Sequence, residues 1–156
     1  MYTYEYPHPA VTADAVVFGF DGKSLNLLLI NRGIKPYKGS WALPGGFINI
    51  NETAEDGALR ELKEETGVDD IYLEQFHTFT AVDRDPRERV MTIAFLAFIR
   101  QDDYSVVAGD DAAKAQWYPV DKLPELAFDH KEIIQIALDK LRWKIMYEPL
   151  VFHLLK

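Results

Sequence analysis

The sequence contains no cysteine among its 156 residues. Disulfide bonds, zinc–thiolate sites and cysteine nucleophiles are therefore excluded. Long hydrophobic runs are lacking as well, since no apolar stretch approaches the ~20 residues that a membrane-spanning helix needs. The N-terminus begins Met-Tyr-Thr-Tyr and has neither a basic start nor an apolar segment, so no secretory signal is recognisable. We expect a cytoplasmic protein without a membrane partner.

Basic residues are in the minority, with 17 Lys and Arg against 25 Asp and Glu and a formal net charge of −8. This balance argues against a surface that grips nucleic acid, and no nucleic-acid partner is expected for this chain. A small phosphorylated ligand remains compatible with it, because a bound cation can supply local positive charge. The length and the 48% hydrophobic content suit one globular domain spanning residues 1–156.

The order of predicted elements indicates a sheet with helices on its faces. Residues 11–20 and 25–30 form a predicted hairpin around Asp21-Gly22, which is a tight-turn signal. The other predicted elements are a short strand at 41–50 broken by Pro44-Gly45-Gly46, a helix at 54–66, strands at 71–82, 90–99 and 117–120, and a last helix around residues 134–145. Adjacent hairpins favour a largely antiparallel or mixed sheet, and therefore an α+β sandwich.

Both ends of the chain differ from this core. Residues 1–10 hold three Tyr and two Pro, which predicts an extended arm. Residues 147–156 form an apolar tail that has no stop signal. The tail either packs against the domain or leads into a further domain that is absent from this chain.

Three acidic residues on the first predicted helix carry the main chemical signal. Glu61, Glu64 and Glu65 fall within an arc of about 100° on one helix face. Like charges at this spacing repel by roughly 0.2–0.5 kcal/mol per pair. A hard cation such as Mg²⁺ would explain the cluster, because it prefers oxygen ligands and bridges carboxylates to phosphates. Arg60 is placed to pair with one carboxylate and hold its orientation.

A longer pattern surrounds this acidic face. Pro44-Gly45-Gly46 permits a sharp bend and lets the backbone approach a ligand closely. An acidic solvent-facing helix would explain the three glutamates alone. The pattern from Gly46 through Glu52 to Val68, however, has a chance frequency on the order of one in 10⁹ per start site from typical residue usage. The fixed positions are Gly46, Glu52, Arg60, Glu61, Leu62, Glu64, Glu65, Gly67 and Val68.

This stretch resembles the Nudix box of the Nudix hydrolase family at every defined position. Residues 41–47 look like the lead-in of the family, and residues 117–124 look like its late segment. The resemblance implies an α/β/α sandwich with a mixed β-sheet flanked by helices. It also implies a site for two or three divalent cations, with Mg²⁺ expected and Mn²⁺ as an alternative, because both are hard ions that prefer oxygen ligands. A homodimer is a further implication, with the Tyr-rich arm able to exchange between subunits.

Roles for individual residues follow from the resemblance. Glu61, Glu64 and Glu65 become the metal ligands and Gly46 joins them in the metal site. Arg60 orients Glu61. Structural roles in the motif pass to Glu52, which braces the loop, and to Gly45 and Gly67. The general base stays open among Glu61, Glu64, Glu65, Asp85 and Glu88.

A charged loop at residues 83–89 resembles a segment of ADP-ribose pyrophosphatases and of Nudix-related regulators of NAD metabolism. Residues 126–130 resemble a second such segment. Both favour ADP-ribose over nucleoside triphosphates. The loop arginines can pair with phosphate oxygens, whereas the acidic residues can bind metal or act as base. The alternative is a solvent-facing hairpin tip whose charges pair with one another. The candidate substrate-binding residues are Phe47, Arg84, Asp85, Arg87, Glu88 and Arg89.

Several aromatic and histidine positions have competing interpretations. His130 is a catalytic candidate, but an N-capping Asp129 with an incidental histidine is favoured. His77 is interpreted as a packing or surface residue. Trp41 and Phe47 can stack on a base, although a core role is favoured for each.

Taken together, these resemblances imply Mg²⁺-dependent hydrolysis of the diphosphate of a nucleoside diphosphate derivative, with ADP-ribose cleaved to AMP and ribose 5-phosphate as the favoured reaction. Two alternatives remain open. One is an ADP-ribose-sensing ligand domain, as in the regulators of NAD metabolism that carry a DNA-binding domain after it. The other is a pyrophosphatase that removes damaged nucleoside triphosphates.

Overall fold

A computed structural model of the chain describes residues 1–109 and 112–148. The predicted tail at 147–156 lies outside the described residues except for its first two positions. Seven strands and two α-helices occur in the described part. They are β1 (Ala10–Phe20), β2 (Leu25–Arg32), β3 (Trp41–Ala42), β4 (Gly45–Phe47), α1 (Ala54–Thr66), β5 (Glu74–Phe79), β6 (Val90–Arg100), β7 (Ala112–Pro119) and α2 (His130–Tyr147). A 3₁₀ turn, Gln101–Asp103, follows β6.

The sheet is mixed, as the sequence predicted. Its strands run in the order β3-β2-β1-β6-β5, while β4 pairs with β1 and β7 pairs with β2. β1 and β2 form the antiparallel hairpin predicted around Asp21-Gly22. β1 and β6 are parallel and stay in register from Ala10 opposite Val90 to Phe20 opposite Arg100. The remaining strand pairs are antiparallel.

Both faces of the sheet are covered by a helix, which explains why β1 is apolar at almost every position. Ala15 and Val17 pack on the side of α1, in a core that includes Leu62. Val16 and Phe18 point to the other side and pack in a core that includes Ile133 and Leu141 of α2. The α+β prediction of an α/β/α sandwich is therefore confirmed.

Helix α1 begins and ends where its terminal residues dictate. The Thr53 side chain accepts a hydrogen bond from the Asp56 amide (3.1 Å) and caps the N-terminus. Gly67 adopts the left-handed conformation (φ 75°), and its amide donates to the Lys63 carbonyl. Such a φ suits glycine, which lacks a Cβ. Ala58 and Leu62 are buried against the sheet, so the acidic side chains of α1 turn away from this core.

Replacing Thr53 with Ala removes the side-chain acceptor at the start of α1. We expect the free energy of unfolding to fall by about 1 kcal/mol, the usual loss for an N-cap threonine. Urea unfolding followed by circular dichroism measures the change. An unfolding free energy within 0.2 kcal/mol of the parent, on the order of experimental error, would contradict a capping role for Thr53.

Some element boundaries differ from the sequence prediction. The strand predicted at 71–82 is limited to Glu74–Phe79, although Ile71 and Leu73 are buried before it begins. β7 starts at Ala112 rather than 117, because it pairs along the length of β2 despite a sequence poor in β-branched residues. The N-terminal arm ends at residue 9, and its Tyr2, Tyr4 and Tyr6 are exposed.

The described helices include none that combines the length and apolarity required to cross a membrane.

Candidate active site

A cleft of about 670 Å³ opens beside α1, at the end of the sheet where β4 pairs with β1. Its walls come from β1, β2, β4, α1, the loop before β6 and the start of α2. The lining residues include Thr12, Asp14, Arg32, Leu43, Gly45, Gly46, Phe47, Glu61, Glu64, Glu65, Arg84, Asp85, Arg87, Phe128 and His130. Distant segments of the chain therefore converge on one concave surface.

The three glutamates of α1 all face this cleft, but they differ in exposure. Glu65 is only 7% exposed and accepts a hydrogen bond from the Gly45 amide (2.8 Å). Burial, with a smaller contribution from the charges of Glu61 and Asp14, outweighs that bond and raises the pKa of Glu65 to about 8. Burial also raises the pKa of Glu61. The Glu64 side chain is the most open of the three, at 41% exposure.

Arg60 ties this acidic face to the loop before the helix. Its Nη1 donates to Glu61 (2.8 Å) and to Glu64 (3.2 Å). Its Nε and Nη2 donate to the Glu52 carboxylate at 3.0 and 2.7 Å, and Nη2 also reaches the Phe47 carbonyl at 3.1 Å. All three nitrogens of the guanidinium are therefore engaged. The geometry suits Arg60 to orient Glu61, which is the role expected from the sequence.

Glu52 completes the brace. Its carboxylate also accepts a hydrogen bond from the Asn49 amide (2.8 Å). The bonds from Arg60, followed by that from Asn49, lower the pKa of Glu52 to about 2. The fixed carboxylate thus links the loop after β4 to α1 through Arg60.

Neither glycine of β4 has room for a Cβ atom. A Cβ on Gly45 would overlap the backbone and carboxylate of Asp14 on the neighbouring strand. A Cβ on Gly46 would lie 2.6 Å from Cδ of Glu61, well inside contact distance. Gly46 therefore lets the backbone of β4 lie directly against the acidic face of α1.

Asp14 is a cleft residue that the sequence interpretation missed. It lies on β1, is 6% exposed, and its Oδ2 accepts a 2.6 Å hydrogen bond from the Thr92 hydroxyl of β6. Its charge contributes to the raised pKa of Glu65. A carboxylate in the middle of an apolar strand was the signal that could have revealed it, because charged groups are rarely buried without a role.

The charged loop before β6 divides into two parts. Arg84, Asp85 and Arg87 line the cleft, whereas Glu88 and Arg89 are not among its lining residues. Arg87 donates from Nε and Nη2 to Asp85 at 3.1 and 2.8 Å. Burial opposes the ionisation of Asp85, yet these bonds outweigh it and hold its pKa below the usual value. The loop thus pairs two of its own charges, as the alternative interpretation expected, and also lines the cleft; its role in substrate binding stays a prediction.

Arg84 and Asp129 form a buried ion pair. Nε and Nη2 of Arg84 donate to the two carboxylate oxygens at 2.9 and 2.7 Å. The side chains are 4% and 15% exposed. The predicted capping role of Asp129 is wrong: it occupies the N-cap position of α2, but its side chain makes no capping bond because it is engaged by Arg84.

The sequence interpretation favoured an incidental role for His130, and the structure contradicts it. It is 4% exposed and its Nδ1 accepts a hydrogen bond from the Leu43 amide (3.0 Å). Burial lowers the pKa of His130, which keeps the imidazole neutral. The accepted bond places the ring proton on Nε2. His130 therefore anchors α2 to the segment that leads into Pro44-Gly45-Gly46.

The remaining aromatic predictions divide. Trp41 packs against Tyr118 (4.9 Å between ring centroids) next to the α2 core, so the core interpretation is confirmed. His77 is exposed on β5, in agreement with a surface role. For Phe47 the core interpretation is wrong, because the ring is 39% exposed and lines the cleft. The guanidinium of Arg87 lies 4.9 Å above it.

The acidic face suits a hard divalent cation. In the parts of the chain that the structure describes, no group of three His, Asp or Glu side chains is already gathered as a complete metal cage. Mg²⁺ does not need one, since one or two carboxylates combined with water and phosphate oxygens usually hold it. Glu65, buried and with its pKa raised, is a carboxyl whose ionised form a nearby cation would favour. The donor set therefore fits such an ion.

The chain is similar in sequence to a known domain family and to two curated proteins. A profile of the NUDIX domain matches residues 8–136. An ADP-ribose pyrophosphatase of Methanocaldococcus jannaschii is 41% identical over 139 residues, which are 89% of this chain and 77% of that protein. An ADPR-responsive transcriptional repressor, NtrR, of Acinetobacter baylyi is 34% identical over 97% of this chain, which spans 62% of the length of the repressor.

Solved structures of Nudix proteins superpose on this chain. A MutT/nudix family protein of Enterococcus faecalis superposes with a TM-score of 0.89 at 38% identity, over 99% of this chain and 70% of that chain. The NUDIX domain of Shewanella oneidensis NrtR, crystallised with ADP ribose, has a TM-score of 0.80 at 33% identity, over 87% of this chain and 90% of that chain. With the family profile matched over most of its length and the glutamates of the family motif facing its cleft, the chain belongs to the Nudix hydrolase family.

Proposed function

We propose that this chain hydrolyses the diphosphate of ADP-ribose to AMP and ribose 5-phosphate, with Mg²⁺ as its cofactor. Nudix hydrolases generally use divalent metal ions. The observation that carries the proposal is the acidic face of Glu61, Glu64 and Glu65 lining a cleft of about 670 Å³. The M. jannaschii relative and the ligand of the S. oneidensis domain support ADP-ribose as the substrate.

The acidic residues divide the work of the metal site. Glu61, Glu64 and Glu65 would hold the metal, with the backbone at Gly46 beside them. A divalent cation held there would neutralise phosphate charge and would lower the pKa of an attacking water. Arg60 holds Glu61 in place, and Glu52 holds Arg60. Glu65 is in turn fixed by the Gly45 amide.

The proton of the attacking water needs an acceptor. Asp85 is engaged by Arg87, and Glu88 does not line the cleft. Glu61 and Glu65 are buried or tied by short hydrogen bonds. Glu64 is the most exposed of the three, and its one side-chain hydrogen bond to a described residue is the 3.2 Å bond from Arg60, so we assign it as the general base.

Other residues that line the cleft would bind the nucleotide. Phe47 is 39% exposed and could stack on a base, and the guanidiniums of Arg84 and Arg87 are held rigidly by Asp129 and Asp85. Rigid arginines suit phosphate recognition, because little side-chain entropy is lost on binding. Arg89 instead donates to the Ala81 carbonyl, away from the cleft lining.

Phosphorus-31 NMR of the purified chain with Mg²⁺ tests the proposal, with ADP-ribose, dATP and NADH as parallel substrates. We expect AMP and ribose 5-phosphate from ADP-ribose, and slow or no turnover of the other two. Release of pyrophosphate from dATP as the dominant reaction would replace the proposal with a nucleoside triphosphate pyrophosphatase.

The second candidate is an ADP-ribose sensor. The likeness to the A. baylyi repressor over 97% of this chain favours it. A sensor would bind ADP-ribose with micromolar affinity and turn it over negligibly in the presence of Mg²⁺. Isothermal titration calorimetry and the NMR assay on the same preparation distinguish the two functions.

Replacing Gly46 with Ala would push a methyl group against the Glu61 carboxylate. We expect kcat for ADP-ribose to fall about 10- to 100-fold, because displacing a catalytic group by an ångström has effects of that size. The unfolding midpoint should change little, since Gly46 has an ordinary φ and lies at the cleft surface. Steady-state kinetics together with thermal unfolding measure both, and an unchanged kcat would show that Glu61 needs no exact placement.

A further inference from the structure

Arg32 differs from the other arginines of the cleft. It lies at the end of β2, is half-buried and lines the cleft. Arg84 and Arg87, the other two arginines that line the cleft, each have a carboxylate partner within 4.0 Å. Among the residues that the structure describes, Arg32 has none; its Nε donates instead to the Pro36 carbonyl (2.8 Å).

The aromatic ring of Phe128 lies next to the guanidiniums of both Arg32 and Arg87. The guanidinium carbon of Arg32 lies 5.0 Å from the ring centroid of Phe128, and that of Arg87 lies 5.7 Å from the same centroid. Tyr37 supports the ring from the loop after β2, with centroids 4.7 Å apart. The guanidinium carbon of Arg87 also lies 4.9 Å from the ring centroid of Phe47. The guanidiniums of Arg32 and Arg87 therefore lie against the same aromatic ring.

This arrangement is electrostatically unfavourable without a ligand. Burial lowers the pKa of Arg32, and the charge of Arg87 lowers it further. The carboxylates of Glu65, Asp85 and Asp14 act on Arg32 only from beyond ion-pair distance, and they already serve other partners. A half-buried cation beside another cation is stabilised when an anion binds between them.

We propose that Arg32 and Arg87 form an anion subsite that binds non-bridging oxygens of the diphosphate of the substrate. Nη1 and Nη2 of Arg32 and Nη1 of Arg87 make no hydrogen bond within the described residues and are the donors for it. The proposal deepens the proposed function and rests on it for the diphosphate. A metal held by the glutamates of α1 would neutralise part of the negative charge of the diphosphate, and Arg32 and Arg87 would bind its remaining oxygens directly.

The test measures binding rather than turnover. The probe is α,β-methylene ADP-ribose, which cannot be cleaved at the diphosphate, titrated calorimetrically with Mg²⁺ present. We expect Arg32→Met to weaken binding about 10- to 100-fold, since hydrogen bonds to charged groups have effects of that size. Arg32→Lys keeps the charge but loses the planar set of donors, so its affinity for the probe should lie between those of the parent and Arg32→Met. Arg142→Met is the control, because Arg142 is exposed on α2 and away from the cleft, and it should bind within two-fold of the parent.

Thermal unfolding without ligand separates binding from structure. Loss of an unfavourable cation should leave the melting temperature of Arg32→Met equal to or above that of the parent. A lower melting temperature by several degrees together with weak binding would assign Arg32 a structural role through Pro36, and overturn the subsite.

Two other outcomes overturn it as well: Arg32→Met binding within two-fold of the parent, or a parent chain that does not bind the probe. Failure of the proposed function looks different. In that case the parent binds the probe in an Arg32-dependent manner, but ADP-ribose is not hydrolysed.

Discussion

Replacing Glu64 with Gln should lower kcat for ADP-ribose by about 10²- to 10⁴-fold, the range lost when a general base or a comparable electrostatic group is removed. Glutamine has nearly the same shape but cannot accept a proton or carry the charge that a metal ligand needs. The Glu64 side chain is 41% exposed and, within the described residues, hydrogen-bonds only to Arg60, so the fold should tolerate the change. Steady-state kinetics over a range of Mg²⁺ concentrations measures the loss.

A matched control lies on the same helix. Glu55 is exposed in the first turn of α1 and is not among the residues that line the cleft. Glu55→Gln removes an identical charge, so its kcat should stay within two-fold of the parent. Near-normal turnover by a folded Glu64→Gln protein, or equal losses in both variants, would remove Glu64 from the mechanism.

Replacing Arg84 with Met should destabilise the protein by about 3–5 kcal/mol, the usual result of removing one partner of a buried ion pair. The Asp129 carboxylate would keep its place beside the buried His130 but lose both hydrogen bonds from Arg84. Such a loss is a large part of the 5–15 kcal/mol that stabilises a typical domain. Urea unfolding of the parent and the variant gives the difference.

Two comparisons identify the cause. Adding Asp129→Leu to Arg84→Met removes the unpaired charge, so part of the lost stability should return. Arg142→Met breaks an exposed ion pair with Asp139, whose side chains are 69% and 64% exposed, and should change stability by less than about 0.5 kcal/mol. If Arg84→Met cost no more than Arg142→Met, the pair with Asp129 would have no structural importance.

The parts of the molecule that sequence predicted well are those set by local interactions. The bounds of α1 follow from Thr53 at one end and Gly67 at the other, and both act on residues within four positions. The acidic face follows from helical spacing alone. The hairpin of β1 and β2 follows from the Asp21-Gly22 turn. In each case the deciding contacts lie within a few residues in the chain.

The parts that could not be predicted depend on contacts between distant residues. Asp129 looks like an N-cap until Arg84, 45 positions earlier, takes its carboxylate. Asp14 and Arg32 are isolated charged residues in strands, and only the folded sheet brings them to the cleft. The first half of β7 has little strand propensity and becomes a strand because β2 offers it a pairing edge. Spacing along the chain carries no information about such partners.

The parallel pairing of β1 with β6 has a consequence for how the protein is made. Thr92 and Asp14 are 78 positions apart, so β1 emerges from the ribosome long before its neighbour exists. At the usual 5–20 residues per second, that interval is about 4–16 s. Throughout it, a strand that is apolar on both faces lacks half of its pairing, and contacts of such long range also form slowly once the chain is complete. We therefore expect nascent β1 to be open to aggregation until β6 has been synthesised.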